Sequence, residues 1–241
     1  MSSIINKVFS ALLTYPTPDI KASAGEMQSI VGAEVGVAKP LRDALLALVD
    51  DLATGDLYDL QERYVLLFDR TRSLSLYLFE HVHGESRDRG QAMVDLQNLY
   101  EKHGLYLTAK ELPDFIPLFL EFLSTRPEEE AHTLLAQTAH IFAALAERLA
   151  KRQSPYEAVF RALVALAAST PKGEDVTALL QQADPDPTDL AALDAAWEDQ
   201  PVSFGAGNGC KDELIARIRA GRRPAPGTTA AQPTRPAESQ A

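Results

Sequence analysis

Ser73-Leu-Ser-Leu-Tyr-Leu-Phe79 places a leucine at every second position, the period of a half-buried strand. Whether the chain contains a sheet turns on this stretch. No other segment offers a strand to pair with it, and an unpaired strand leaves its backbone amides and carbonyls without ladder partners. The stretch therefore reads as an extended loop crossing helices, and the chain as all-α.

The flanks support that reading. On the N-terminal side, Leu57, Leu60, Tyr64, Leu67 and Phe68 follow helical spacing, as do Leu41, Ala44, Leu45, Leu48, Val49 and Leu52 before Gly55. Ile4, Val8 and Leu12 make one apolar stripe, ended at Tyr15-Pro-Thr-Pro18 because residues before prolines are pushed out of the α region. A second short helix is expected from Asp19 to about Val31. On the C-terminal side, Met93, Leu96 and Tyr100 resume the spacing, and His103-Gly104 is a stop. Asp114-Phe-Ile-Pro117 starts a helix burying Phe115, Leu118, Phe119, Phe122 and Leu123, with Asp114 as its cap. Thr125-Arg-Pro-Glu128 and Ser154-Pro-Tyr-Glu157 have the form of capping boxes. They would open a long helix through Leu149 and a shorter one ending near Thr170-Pro171.

Apolar residue types make up 46% of the 241 residues, enough for a core. The expected organisation is a single helical bundle over 1–170, a loosely packed extension with short helices over 171–220, and a flexible tail over 221–241. That tail is dominated by Pro, Ala, Thr and Ser and lacks the apolar residues that folding requires. Acidic residues number 34 against 23 basic, a net charge of -11, which argues against nucleic acid because phosphate contacts need clustered cations. The lone cysteine, Cys210, excludes an intramolecular disulfide and cysteine-ligated zinc or iron–sulfur clusters. No run reaches the ~20 apolar residues of a membrane-spanning helix. The N-terminus lacks the pattern of a secretory signal, so the expected location is cytoplasmic.

Catalytic arrangements are absent from the sequence. There is no Gly-x-Ser-x-Gly elbow, His-Glu-x-x-His zinc motif or Gly-x-x-x-x-Gly-Lys loop. The Gly205–Gly209 cluster before Lys211 has the wrong spacing for a phosphate loop. In Glu80-His-Val-His-Gly-Glu85, His81 and His83 would share one side of an extended segment, the geometry of a metal pair. The preferred reading is a polar loop whose histidines bond to backbone or to Arg87-Asp88-Arg89. A metal-dependent enzyme using His81, His83 and Glu85 is the rival. By spacing alone Tyr64, Leu67 and Phe68 read as core.

Three blocks together carry a family resemblance. They are Tyr64-Val-Leu-Leu-Phe68, then Leu76 to Leu96 with Glu80-His-Val-His-Gly-Glu-Ser-Arg-Asp-Arg89 at its centre, then Gly104 to Leu123 with Glu111-Leu-Pro-Asp114. In these the chain resembles the NarJ-type assembly chaperones of membrane-bound respiratory nitrate reductase, within the TorD/DmsD-like group. Where the wider group commonly has His after the Glu-x-Pro-Asp element, this chain has Phe115.

The resemblance implies a non-enzymatic, all-helical cytoplasmic chaperone that carries no cofactor. Its partner would be the molybdenum-containing catalytic subunit, bound through that subunit's N-terminal segment, and it would be absent from the mature enzyme. A sibling molybdoenzyme of the dimethyl sulfoxide reductase type is the alternative client. No membrane insertion is implied. Client contact or hinge motion is expected at Tyr64, Leu67 and Phe68, at Glu80, His81, His83, Arg87, Asp88, Arg89 and Met93, and at Glu111, Pro113, Asp114, Phe115 and Phe119.

Overall fold

The computed structural model describes residues 4–82, 88–107 and 111–184. Among them the chain forms eleven α-helices and no strand beyond a single bridge. They are α1 (Ile4–Leu12), α2 (Pro18–Ala22), α3 (Ala24–Ala33), α4 (Lys39–Thr54), α5 (Leu57–Tyr64), α6 (Leu78–Val82), α7 (Asp88–Lys102), α8 (Ile116–Ser124), α9 (Glu128–Lys151), α10 (Glu157–Leu166) and α11 (Gly173–Leu180). None of the described helices is long and apolar enough to cross a membrane.

The 24-residue α9 is the axis of the bundle, packing against α10, α11, α8 and α6. Leu135, Phe142, Leu145 and Leu149 lie on its buried face at three-and-four spacing, and Phe142 meets Phe160 of α10 at 6.1 Å between ring centres. Glu128, Glu129 and Glu130 open the helix and Arg148 and Lys151 close it, matching the helix dipole at both ends. On another side α1 packs against α8, where the buried Ser10 hydroxyl donates to the Pro117 carbonyl at 2.7 Å and Lys7 pairs with Glu121. Each fully buried Leu or Phe in these contacts contributes roughly 1.5–3 kcal/mol.

The period-two stretch does not alternate in burial, because Ser73 and Ser75 are buried along with its leucines, and it is an extended loop only up to α6, which takes up Leu78 and Phe79. Leu74, Leu76 and Leu78 are all buried, reached through a 3₁₀ turn at Arg72–Leu74 and an extended step into α6. It does have a backbone partner. The Ile116 N–H donates to the Leu76 carbonyl at 2.8 Å and the Leu78 N–H to the Asp114 carbonyl at 3.0 Å, one antiparallel bridge between Tyr77 and Phe115. The partner is a turn rather than a strand, so no periodicity announces it.

Several local expectations are corrected. The helix expected over 19–31 is split at Ser23, whose hydroxyl donates to the Ile20 carbonyl at 2.7 Å. Neither capping box forms: the Thr125 hydroxyl donates back to Phe122 of α8, and the Ser154 hydroxyl has no partner among the described residues. Ser154 instead contributes its carbonyl to a 3₁₀-like first turn, accepting from Glu157 at 3.1 Å. α10 ends at Leu166, short of Thr170. Beyond it α11 lies against α9 with Leu179 buried.

Candidate functional site

The middle and third of the three blocks meet in space. The 111–115 turn lies beside Tyr77 and α6, held by a cluster of polar contacts. Asp114 is fully buried, and its side chain caps α6 rather than α8: Oδ2 accepts the Phe79 N–H at 3.1 Å. Its Oδ1 has no partner among the described residues. Burial pushes the Asp114 carboxyl above its ordinary range, against the hydrogen bond from Phe79 and the charge of Arg89. Nearby, the Tyr77 hydroxyl reaches Glu111 at 3.3 Å, and the Tyr77 and Phe115 rings lie 5.4 Å apart. Arg89 pairs with Glu80 at 3.3 Å.

α7 crosses this region with little of its surface covered. Tyr100 is its one buried described residue. The Tyr100 hydroxyl donates to the Pro113 carbonyl at 2.8 Å and its ring meets Phe122 at 4.8 Å. Past the helix end, Gly104 takes φ 79 as a stop, and His103 contacts Arg126 and lies 3.5 Å from Glu130. Between the Arg89 and Tyr100 anchors, Ala92, Met93, Leu96 and Leu99 form a stripe that is only half-buried, and Val94 is exposed. The stripe is thus partly packed on the core, through Leu96 and Leu99, and partly open to solvent.

Other sequence-predicted residues lie elsewhere. Tyr64, Leu67, Phe68 and Phe119 are buried in the core; the Tyr64 hydroxyl donates to the Leu13 carbonyl at 3.0 Å, and its ring meets Phe68 at 5.1 Å. Burial raises the Tyr64 pKa, so it stays a neutral donor. His81 is buried with Nε2 2.8 Å from the Ser75 carbonyl, which can only accept, so Nε2 carries the proton. That nitrogen is committed to the fold. His83 and Arg87, and the side chain of Asp88, lie outside the described residues. Among the described residues no three His, Cys, Asp or Glu side chains converge as a metal site.

Sequence reasoning passed over a second polar cluster. Arg148 of α9 is buried, donating from Nη1 to the Ser73 carbonyl at 2.6 Å and from Nη2 to the Leu179 carbonyl at 2.7 Å. Beside it Arg152 grips Asp184 through two hydrogen bonds of 2.6 and 3.0 Å, and Ser73 donates to the same carboxylate. Burial pushes the Asp184 carboxyl up, but the bonds from Arg152 and Ser73 outweigh it and hold the pKa below the ordinary value. This cluster ties the 73–81 segment and residues 179–184 to α9. Its signal was present: Arg148 falls seven residues after Ile141 and four after Ala144, on a buried stripe.

These arrangements hold and position backbone, and they present an apolar surface. They do not assemble a nucleophile with a base. Comparison with known proteins agrees in kind. Residues 34–162 match the family model described as nitrate reductase delta subunit. The chain is 44% identical over 208 residues to the nitrate reductase molybdenum cofactor assembly chaperone NarJ of Escherichia coli K12, covering 86% of this chain and 88% of that one. It is 47% identical over 165 residues, 68% of this chain and 71% of the other, to the probable nitrate reductase molybdenum cofactor assembly chaperone NarW of the same strain. The probable chaperone NarJ of Bacillus subtilis 168 is 33% identical over 65% of this chain and 84% of its own. On the span of that family model and the identity held along nearly the whole length of the first relative, this chain belongs to the nitrate reductase delta subunit family.

Proposed function

We propose that this chain is a dedicated assembly chaperone of respiratory nitrate reductase. It binds the apo catalytic subunit and enables insertion of the molybdenum cofactor, with no covalent step of its own. The observation that carries this is 44% identity, over 86% of the chain, to a relative named for that role. The half-covered apolar stripe of α7 supports the mechanism, because a chaperone needs an apolar surface that can be vacated without unfolding its core.

The client's N-terminal segment is the bound element in this reading. It lies as an amphipathic helix beside Met93, Leu96 and Leu99, near the Glu80–Arg89 pair. The 111–115 turn acts as a fixed anchor for that surface, since Pro113 and Asp114 are both tied down by hydrogen bonds. The excess of 11 acidic charges favours capture of a basic segment, an attraction that salt weakens. The protein works in the cytoplasm, where the cofactor is inserted, and leaves before the enzyme is finished.

Calorimetry with a peptide of the client's N-terminal residues tests the contact. Binding to the intact chain is expected, weakened about tenfold or more by Met93→Glu or Leu96→Glu. Absence of heat with a folded chaperone, or undiminished binding by both variants, removes this surface from the account.

A further inference from the structure

α6 has five residues, too few to hold a helix on their own. Both of its ends are tied to remote parts of the chain. At the first end the amides of Leu78 and Phe79 bond to Asp114. At the other the His81 carbonyl, one of the last in the helix, accepts from the Gln182 side chain at 3.4 Å. Between these ties Glu80 reaches Arg89 in the first turn of α7 at 3.3 Å. Where α6 sits therefore decides where this pair forms. The Gln182 bond is long, and the stronger tie lies two residues further on. Asp184 takes two hydrogen bonds from Arg152 and one from the hydroxyl of Ser73, at the start of the segment that leads into α6. Residues 179–184 are thus bonded to the 73–82 segment near both of its ends.

These residues can separate from the bundle without opening its core. Leu179 is the one buried apolar side chain of α11, with Val176 and Leu180 only partly covered. The Arg152 and Asp184 side chains are partly exposed, so their separation returns both charges to water at little cost. An element held by few apolar contacts and by polar bonds near the surface opens locally while the rest stays folded. Such an element has two arrangements, seated and detached, and whatever it touches feels the difference.

We propose that residues 179–184 are a strap that positions α6 and, through the Glu80–Arg89 pair, the client surface on α7, resting here on the client contact proposed above. Seated, the strap favours client binding; detached, it weakens it. Asp184 and Gln182 are positioning residues in this scheme. Among the described residues their hydrogen bonds go to Ser73, His81 and Arg152, and none goes to α7.

Hydrogen exchange and calorimetry on the full chain test it together, at a temperature where thermal melts show every variant folded. In Asp184→Ala the amides of residues 74–82 should exchange about fivefold or more faster, and those of α1 and α3 should change less than about twofold. The same variant should weaken binding of a synthetic peptide of the client's N-terminal residues by about three- to tenfold. Val159→Ala, in the buried face of α10, lowers stability away from the strap and should leave that affinity within about twofold. Unchanged exchange over 74–82 overturns the proposal. So does peptide binding that Asp184→Ala leaves intact, or that Val159→Ala weakens equally. An unaltered chain that binds no peptide refutes the client contact instead, and the exchange over 74–82 then decides the strap.

Discussion

Asp114 accepts the backbone N–H of Phe79 on its carboxylate at 3.1 Å and that of Leu78 on its carbonyl at 3.0 Å. One residue thereby satisfies two of the first amides of α6, from 35 positions further along the chain. Sequence logic assigned Asp114 to the helix that follows it, yet α8 begins without a side-chain cap. The coupling fixes α6 and α8 to one another, which makes the 111–114 turn an anchor.

Asp114→Ala should therefore cost about 1–2 kcal/mol, the usual loss for an N-cap, while Asp114→Asn keeps an acceptor and should cost less. Urea denaturation measures both. The carboxyl also carries a pH signature, because burial raises its pKa in the folded state. A raised carboxyl contributes stability that is fully present below its unfolded value of 3.8 and lost as pH rises through the folded value. Asp114→Asn should flatten stability over that window, and an unchanged slope would contradict the assignment.

His81 should act in the opposite direction. Burial lowers its pKa below 6.5, opposed by its hydrogen bond to Ser75 and by Glu80 and assisted by Arg148. Its contribution is present above the unfolded value and lost as pH falls through the lowered one. Denaturation midpoints measured downward from neutral pH should fall, and His81→Gln should reduce that dependence. If the substitution leaves the acid-side slope intact, the titration belongs to another group.

Arg148 holds the carbonyls of Ser73 and Leu179 from inside the bundle. Arg148→Ala leaves both acceptors without their donor and should destabilise by roughly 2–4 kcal/mol. Arg148→Lys should rescue little, since a single ammonium lacks the fork that reaches both carbonyls. Hydrogen exchange should show the amides of α11 losing protection in either variant, and unaltered protection there would show that Arg148 does not hold α11.

The helices were legible because each buries one face, so periodicity names most of them and their core residues. The contacts that join them were not. Asp114 and Phe79, Arg148 and Ser73, and Tyr100 and Pro113 are brought together by packing, and no local pattern records the partner. Thr125 and Ser154 show the converse. Each has capping-box spacing, yet one hydroxyl turns back to α8 and the other lies in a tight turn with its backbone carbonyl taking the capping role. Of the candidate site residues, Met93, Glu80 and Arg89 sit on an accessible surface. Tyr64, Leu67 and Phe68 are core, as their helical spacing alone implied.

The role proposed for this chain is to enable molybdenum cofactor insertion into nitrate reductase. The direct measurement is the molybdenum content and activity of nitrate reductase isolated from nitrate-respiring cells that lack the chain. The expected result is catalytic subunit present but poor in molybdenum and activity, restored when the chain is supplied again. Fully loaded, fully active enzyme in its absence would contradict it.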